Sequence, residues 1–151
     1  MNAMNAIDEI LDFAIAREVE AAKFYKEMAQ KVEQANIRQV FLDFAREELG
    51  HKAKLLAIKQ GKIQFARPEK VMDLKIADYV VDVAPPTDFN YQQALIVAMK
   101  REKASFKLYS DLADRTDDAN LRATFLALAQ EEAKHKLRFE LEYDEHVLTE
   151  D

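Results

Sequence analysis

Two short segments of this chain place a histidine three residues after a glutamate: EELGHK, from Glu47 to Lys52, and EEAKHK, from Glu131 to Lys136. Only three histidines occur in 151 residues, and two of them stand in these matched settings. On a helix, residues three apart project from neighbouring points of one face, so a single metal ion can touch Glu48 with His51, or Glu132 with His135. Carboxylate plus imidazole suits iron or manganese, with zinc as a further choice, and the lack of sulfur disfavours copper(I). One Glu-x-x-His alone is commonly a solvated helix face. Two in register need another explanation.

The register extends well beyond the histidines. Sliding the chain on itself by 84 positions without gaps pairs Leu11 with Leu95, Arg17 with Arg101, Glu18 with Glu102, Tyr25 with Tyr109, Arg38 with Arg122 and Phe41 with Phe125. Unrelated helices share apolar positions but not polar ones in register, so the chain is an internal duplication. Helical periodicity places elements at about Asn5 to Val32, Asn36 to Gln60, a start after Pro85-Pro86 to Arg115, and Asp118 to His146. Thr87 or Asp88 is the expected cap of the third helix, and Gly61 the expected stop of the second. The fold class is therefore all-α: a four-helix bundle in one domain, 1–151, with helical hairpins over 5–60 and 87–147 and a long crossover over 61–86. Val71, Met72, Leu74, Ile76, Tyr79, Val80, Val81 and Val83 predict that part of the crossover packs as a short helix or extended segment.

In an antiparallel hairpin, residues equally far from the turn share a level. Glu18 precedes the first turn by about 16 residues, and Glu48 and His51 follow it by about 13 to 17, so at roughly 1.5 Å per residue the three fall within one helical turn. The same arithmetic holds for Glu102, Glu132 and His135. If the halves pack with approximate two-fold symmetry, four glutamates and two histidines converge in one core layer, the donor set of a carboxylate-bridged dimetal site. Four carboxylates offset two divalent ions. Tyr25 and Tyr109 follow Glu18 and Glu102 by seven residues and stack on the ligand face, where a buried phenol could bond a ligand carboxylate as readily as serve packing. Glu47, Glu131 and Glu20 read as surface charges, His146 as a surface histidine, and the Phe and Met positions as core. Gly50, inside the second helix, reads as costly there unless it permits close helix approach.

Composition removes several function classes. The net charge of −6 with 33% charged residues argues against a nucleic-acid surface. No apolar run of about 18 residues and no charged-then-apolar leader is visible, which predicts no membrane association and a cytoplasmic location. With no cysteine there is no disulfide, thiolate metal site or iron–sulfur cluster. With Gly50 and Gly61 the only glycines there is no phosphate-binding loop, and no Ser-His-Asp or Cys-His nucleophile is apparent.

The motifs E-x-x-A-x-x-F-Y at Glu18 to Tyr25, E-x-x-H at Glu48 to His51, E-x-x-S-x-x-L-Y at Glu102 to Tyr109 and E-x-x-H at Glu132 to His135 resemble the rubrerythrin family of ferritin-like proteins. The resemblance covers the four helices. It implies a centre of two non-haem iron ions, with Glu18 and Glu102 as terminal ligands, Glu48 and Glu132 bridging, and His51 and His135 each capping one iron. It also implies a homodimer, with helix exchange across the crossover in some members. Two departures stand out. The chain lacks the rubredoxin domain of rubrerythrins proper, so electrons are expected from a separate donor protein such as a rubredoxin. Ser105 stands where the family usually carries a further glutamate linked to iron movement, which bears on the peroxidase chemistry.

The leading expectation is a diiron oxidoreductase that reduces hydrogen peroxide, with O₂ as the competing oxidant. An iron-handling ferroxidase and a non-catalytic metal-binding bundle are the other two classes.

Overall fold

The computed structural model describes residues 3–61, 74–81 and 90–150, with side chains over 7–61, 74–81 and 90–146. Among these residues are four α-helices, one 3-10 turn and no strand. The order is α1 (Ala3–Lys31), α2 (Ala35–Lys59), the 3-10 turn (Ile76–Tyr79), α3 (Tyr91–Asp114) and α4 (Ala119–Glu150). The chain divides into two compact units, Met1–Asp73 and Leu74–Asp151. Each is a helical hairpin, α1 packed on α2 in the first and α3 on α4 in the second.

None of the four helices contains proline, and Gly50 is the only glycine within them, so backbone propensity allows long runs. The first unit buries Ile7, Ile10, Leu11, Ala14, Tyr25 and Met28 from α1, with Phe41, Ala45, Leu55 and Ile58 from α2. The second buries Leu95, Ala98, Leu108 and Leu112 from α3, with Leu121, Phe125, Leu128 and Phe139 from α4. A Lys59–Asp12 ion pair at 2.6 Å ties the end of α2 to the start of α1, at the expected antiparallel level.

The hairpin turns repeat one device. Arg38 donates from Nη2 to the Val32 carbonyl at 3.1 Å and to the Glu33 carbonyl at 3.1 Å. Its counterpart Arg122 donates from Nη2 to the Thr116 carbonyl at 2.7 Å. Both guanidiniums satisfy carbonyls left over at the end of the preceding helix, which is why arginine recurs in register there. The second turn adds an N-cap, the Asp118 carboxylate accepting from the Leu121 N–H at 2.8 Å.

Several boundaries differ from expectation. Pro85, Pro86, Thr87 and Asp88 lie outside the described residues, as do Val71, Met72 and Val83 of the crossover. The cap of α3 is Asn90, whose side chain accepts from the Gln93 N–H at 3.0 Å. Asparagine in an extended conformation meets that geometric need directly. Gly61 does end α2, with φ 83°, the left-handed conformation that glycine adopts without strain. α4 runs to Glu150, past the expected end at His146.

The crossover does pack in part, as the 3-10 turn. Tyr79 is buried, donates its hydroxyl to Asp111 at 2.7 Å, and lies under the Lys107 ammonium at 5.6 Å from the ring centroid. Burial and the Asp111 bond push the Tyr79 phenol above the usual tyrosine range.

Not every aromatic position is core. Phe106 is 41% exposed because it lies at the edge of the buried face of α3, and Leu49 on α2 is turned outward by its place one residue after buried Glu48. Gly50 permits no close approach either, since a Cβ added there would meet nothing within 4 Å.

Candidate metal centre

Burying a carboxylate without compensation is costly, and Glu is almost never fully buried unless paired. Yet Glu18, Glu48, His51, Glu102, Glu132 and His135 are all 2% exposed or less. They are the six residues that the spacing singled out, three in each unit.

In the first unit, Glu18 comes from α1, and Glu48 and His51 come from one face of α2. His51 Nδ1 lies 3.4 Å from Glu18 Oε2 and 3.5 Å from Glu48 Oε1. In the second unit, His135 Nδ1 lies 3.6 Å from Glu102 Oε1. Glu102, Glu132 and His135 each offer a ligand atom within 4.8 Å of the other two, as do Glu18, Glu48 and His51.

These separations fit a shared cation better than direct hydrogen bonding, which wants about 2.7–3.2 Å. Donors held by one ion through bonds of about 2.0–2.2 Å can stand up to about 4.2 Å apart, a limit these pairs meet. Charge agrees. Two carboxylates and one neutral imidazole carry −2, which one divalent ion cancels. The donor types, oxygen with nitrogen and no sulfur, suit iron, manganese or zinc. The buried Glu/His sets are metal-binding sets.

Tyr25 and Tyr109 are both buried, each on the same helix as its glutamate, and Tyr25 packs edge-on to Phe44 with centroids 6.3 Å apart. Glu47 and Glu20 are exposed and Glu131 is half-buried. His146 is not a free surface residue: it is half-buried, with its ring edge-on to Tyr91 at 5.1 Å between centroids. Tyr91 also donates to Glu142 at 2.9 Å, and burial followed by that bond raises its phenol above the usual tyrosine range. This cluster, joining the start of α3 to the end of α4, was invisible to the repeat because it has no counterpart in the first unit.

Residues 9–143 match the rubrerythrin family. The chain belongs to the rubrerythrin family. Among solved structures, this rubrerythrin-family chain is similar to a Thermotoga maritima protein assigned provisionally to the ferritin-like diiron-carboxylate proteins. The TM-score is 0.75 and the identity 22%, over 93% of this chain and 95% of that one. That likeness covers all four helices and gives the fold class: a ferritin-like four-helix bundle built from two duplicated hairpins joined by a long crossover. A curated relative from Pyrococcus furiosus, a ferritin-like–encapsulin shell fusion protein, is 39% identical over 67 residues. The match takes in 44% of this chain and 18% of that protein, so this rubrerythrin-family chain spans only a small part of it. Among the described residues, no helix is long and apolar enough to cross a membrane.

Proposed function

We propose that the chain is a diiron oxidoreductase that reduces hydrogen peroxide to water. The observation that carries this reading is the burial of two matched Glu-Glu-His sets, in each of which the ligand atoms lie within 4.8 Å of one another. In it, Glu18, Glu48, His51, Glu102, Glu132 and His135 would hold two iron ions, in the roles that the family resemblance implies: terminal for Glu18 and Glu102, bridging for Glu48 and Glu132, and capping for the two histidines. Two ferrous ions, when bound, supply the two electrons that the overall reaction needs: one hydrogen peroxide, two protons and two electrons give two waters. Tyr25 and Tyr109, buried on the same helices seven residues after Glu18 and Glu102, orient the ligand carboxylates through their hydroxyls. The electrons return from a separate carrier protein such as a rubredoxin, and the active form is a homodimer in the cytoplasm. Ser105, half-buried on α3 where the family usually has a glutamate, leaves one fewer carboxylate to follow a change of iron charge.

The deciding experiment loads the protein with iron anaerobically, then records metal content and optical spectra before and after one equivalent of hydrogen peroxide, with O₂ in parallel. Two irons per chain and a ferric band that develops faster with peroxide support the reading. A faster response to O₂ moves it to an oxidase.

A second reading is iron handling. The Pyrococcus relative, with its ferritin-like part fused to an encapsulin shell, supports it. Repeated turnover with free ferrous ion, and uptake beyond two irons per chain, would select this alternative.

A further inference from the structure

The outer face of α3 breaks the repeat where the ligand face keeps it. Lys100, Lys103 and Phe106 stand where the first unit has Ala16, Val19 and Ala22, while Lys107 matches Lys23. Nothing in the metal site requires these three changes, since Lys100, Lys103 and Phe106 are all exposed. They line an open groove of about 460 Å³ on the second unit. Its rim is Lys100, Lys103 and Lys107, its floor includes Ala104 and Phe106, and Asp78 of the 3-10 turn is the one acid on its wall. The turn is held there by the Tyr79–Asp111 bond and by Lys107 over the Tyr79 ring. The groove is therefore a built feature of the second unit.

Its chemistry is specific. Three ammonium groups against one carboxylate make a positive patch on a chain whose net charge is −6. Lys100, Lys103 and Lys107 lie three and four residues apart, so their charges share one face. The floor adds a partly exposed aromatic ring, the kind of anchor that protein interfaces favour at their centre. A uniformly acidic chain would repel an acidic partner. A local positive patch steers such a partner to one place and sets its orientation.

The groove also has a directional relation to the ligands. Phe106 is four residues after Glu102, so on α3 their Cβ atoms are about 5–6 Å apart. Glu102 is buried and Phe106 is 41% exposed, so the helix carries the ligand on its inner face and the groove floor one turn further along.

We infer that this lysine-rimmed groove is the docking site of an acidic electron-carrier protein. The inference rests on the oxidoreductase reading above and names its partner and place of contact. The carrier's acidic surface pairs with Lys100, Lys103 and Lys107, and an apolar side chain at the centre of that surface meets Phe106.

The test is binding, not turnover. An acidic rubredoxin is titrated into the full-length protein by calorimetry at low and at high ionic strength. The wild type should bind, and added salt should weaken binding, because the pairs are exposed and screened. K100E/K103E should lose about tenfold or more in affinity, and K100Q/K103Q should fall between. K23E/K26E, which reverses two exposed lysines on α1, should change affinity by less than about twofold. All substituted side chains are exposed, so far-UV circular dichroism should be unchanged. No rubredoxin binding at low salt, binding indifferent to K100E/K103E, or equal loss in K23E/K26E would overturn the inference. Failure of the diiron reading registers separately, as a lack of iron or of peroxide reactivity with a small chemical reductant.

Discussion

His51 Nδ1 stands 3.4 Å from Glu18 Oε2, across the α1–α2 hairpin. Neither group is solvated, so the pair makes chemical sense with a cation between its donors. Removing the imidazole should leave one ligand set incomplete: His51→Ala is expected to bind one metal ion per chain in place of two. Plasma emission analysis after gel filtration measures this directly. Metal should also stabilise the fold, by about 2.7 kcal/mol at a hundredfold excess over the dissociation constant. For a chain of this size that amounts to about 5–10 °C in melting temperature. A chelated sample with an unchanged melting curve would contradict the metal assignment.

Arg38 and Arg122 hold equivalent turns, but not with equal cover. The Arg38 bonds are exposed, whereas the Arg122 bond to the Thr116 carbonyl is partly buried and short, at 2.7 Å. Water can replace Arg38 more readily than Arg122. Arg122→Ala should cost about 1.5–3 kcal/mol and Arg38→Ala about 1 kcal/mol or less, read from urea melts. The reverse order would mean that bond geometry at these turns contributes little.

Gly50 lies inside α2 with open space around its would-be Cβ. Gly50→Ala should therefore raise stability by about 1 kcal/mol, or about 2–4 °C. Gly61 is the contrast. Its φ of 83° strains any side chain, so Gly61→Ala should destabilise by about 1 kcal/mol. Opposite signs for the same substitution eleven residues apart are a direct check on the local backbone.

Tyr79 and Tyr91 have phenols raised above their ordinary value of 10.0, chiefly by burial and then by Asp111 and Glu142. Below that value both folded and unfolded states keep the proton, and these tyrosines add no pH dependence. Above it the unfolded chain ionises first, so stability falls as pH rises through and beyond about 10. Tyr79→Phe with Tyr91→Phe should be less stable at pH 7 but lose less on going to pH 11, followed by circular dichroism in denaturant. A parallel loss in both proteins would place the base sensitivity elsewhere.

The features legible from residue types and spacing are those that local geometry governs. The 84-residue register fixed which glutamates and histidines are equivalent, and helical spacing put Glu48 with His51 and Glu132 with His135 on shared faces. Arg38 and Arg122 stand in register, but the repeat alone does not show that they close the turns. Tertiary structure decided what spacing leaves open. Glu131 is half-buried while its counterpart Glu47 is exposed, a difference that the packing of each hairpin makes and the repeat does not show. It turned both imidazoles so that Nδ1 faces a carboxylate, which no pattern of residue types specifies. It gave α3 its cap at Asn90. It also set the 3-10 turn beside Lys107, making a groove from residues that look, in sequence, like an ordinary solvated helix face. Periodicity reports which side chains can share a face. Whether that face meets a neighbour, a metal or water depends on contacts between segments far apart in the chain.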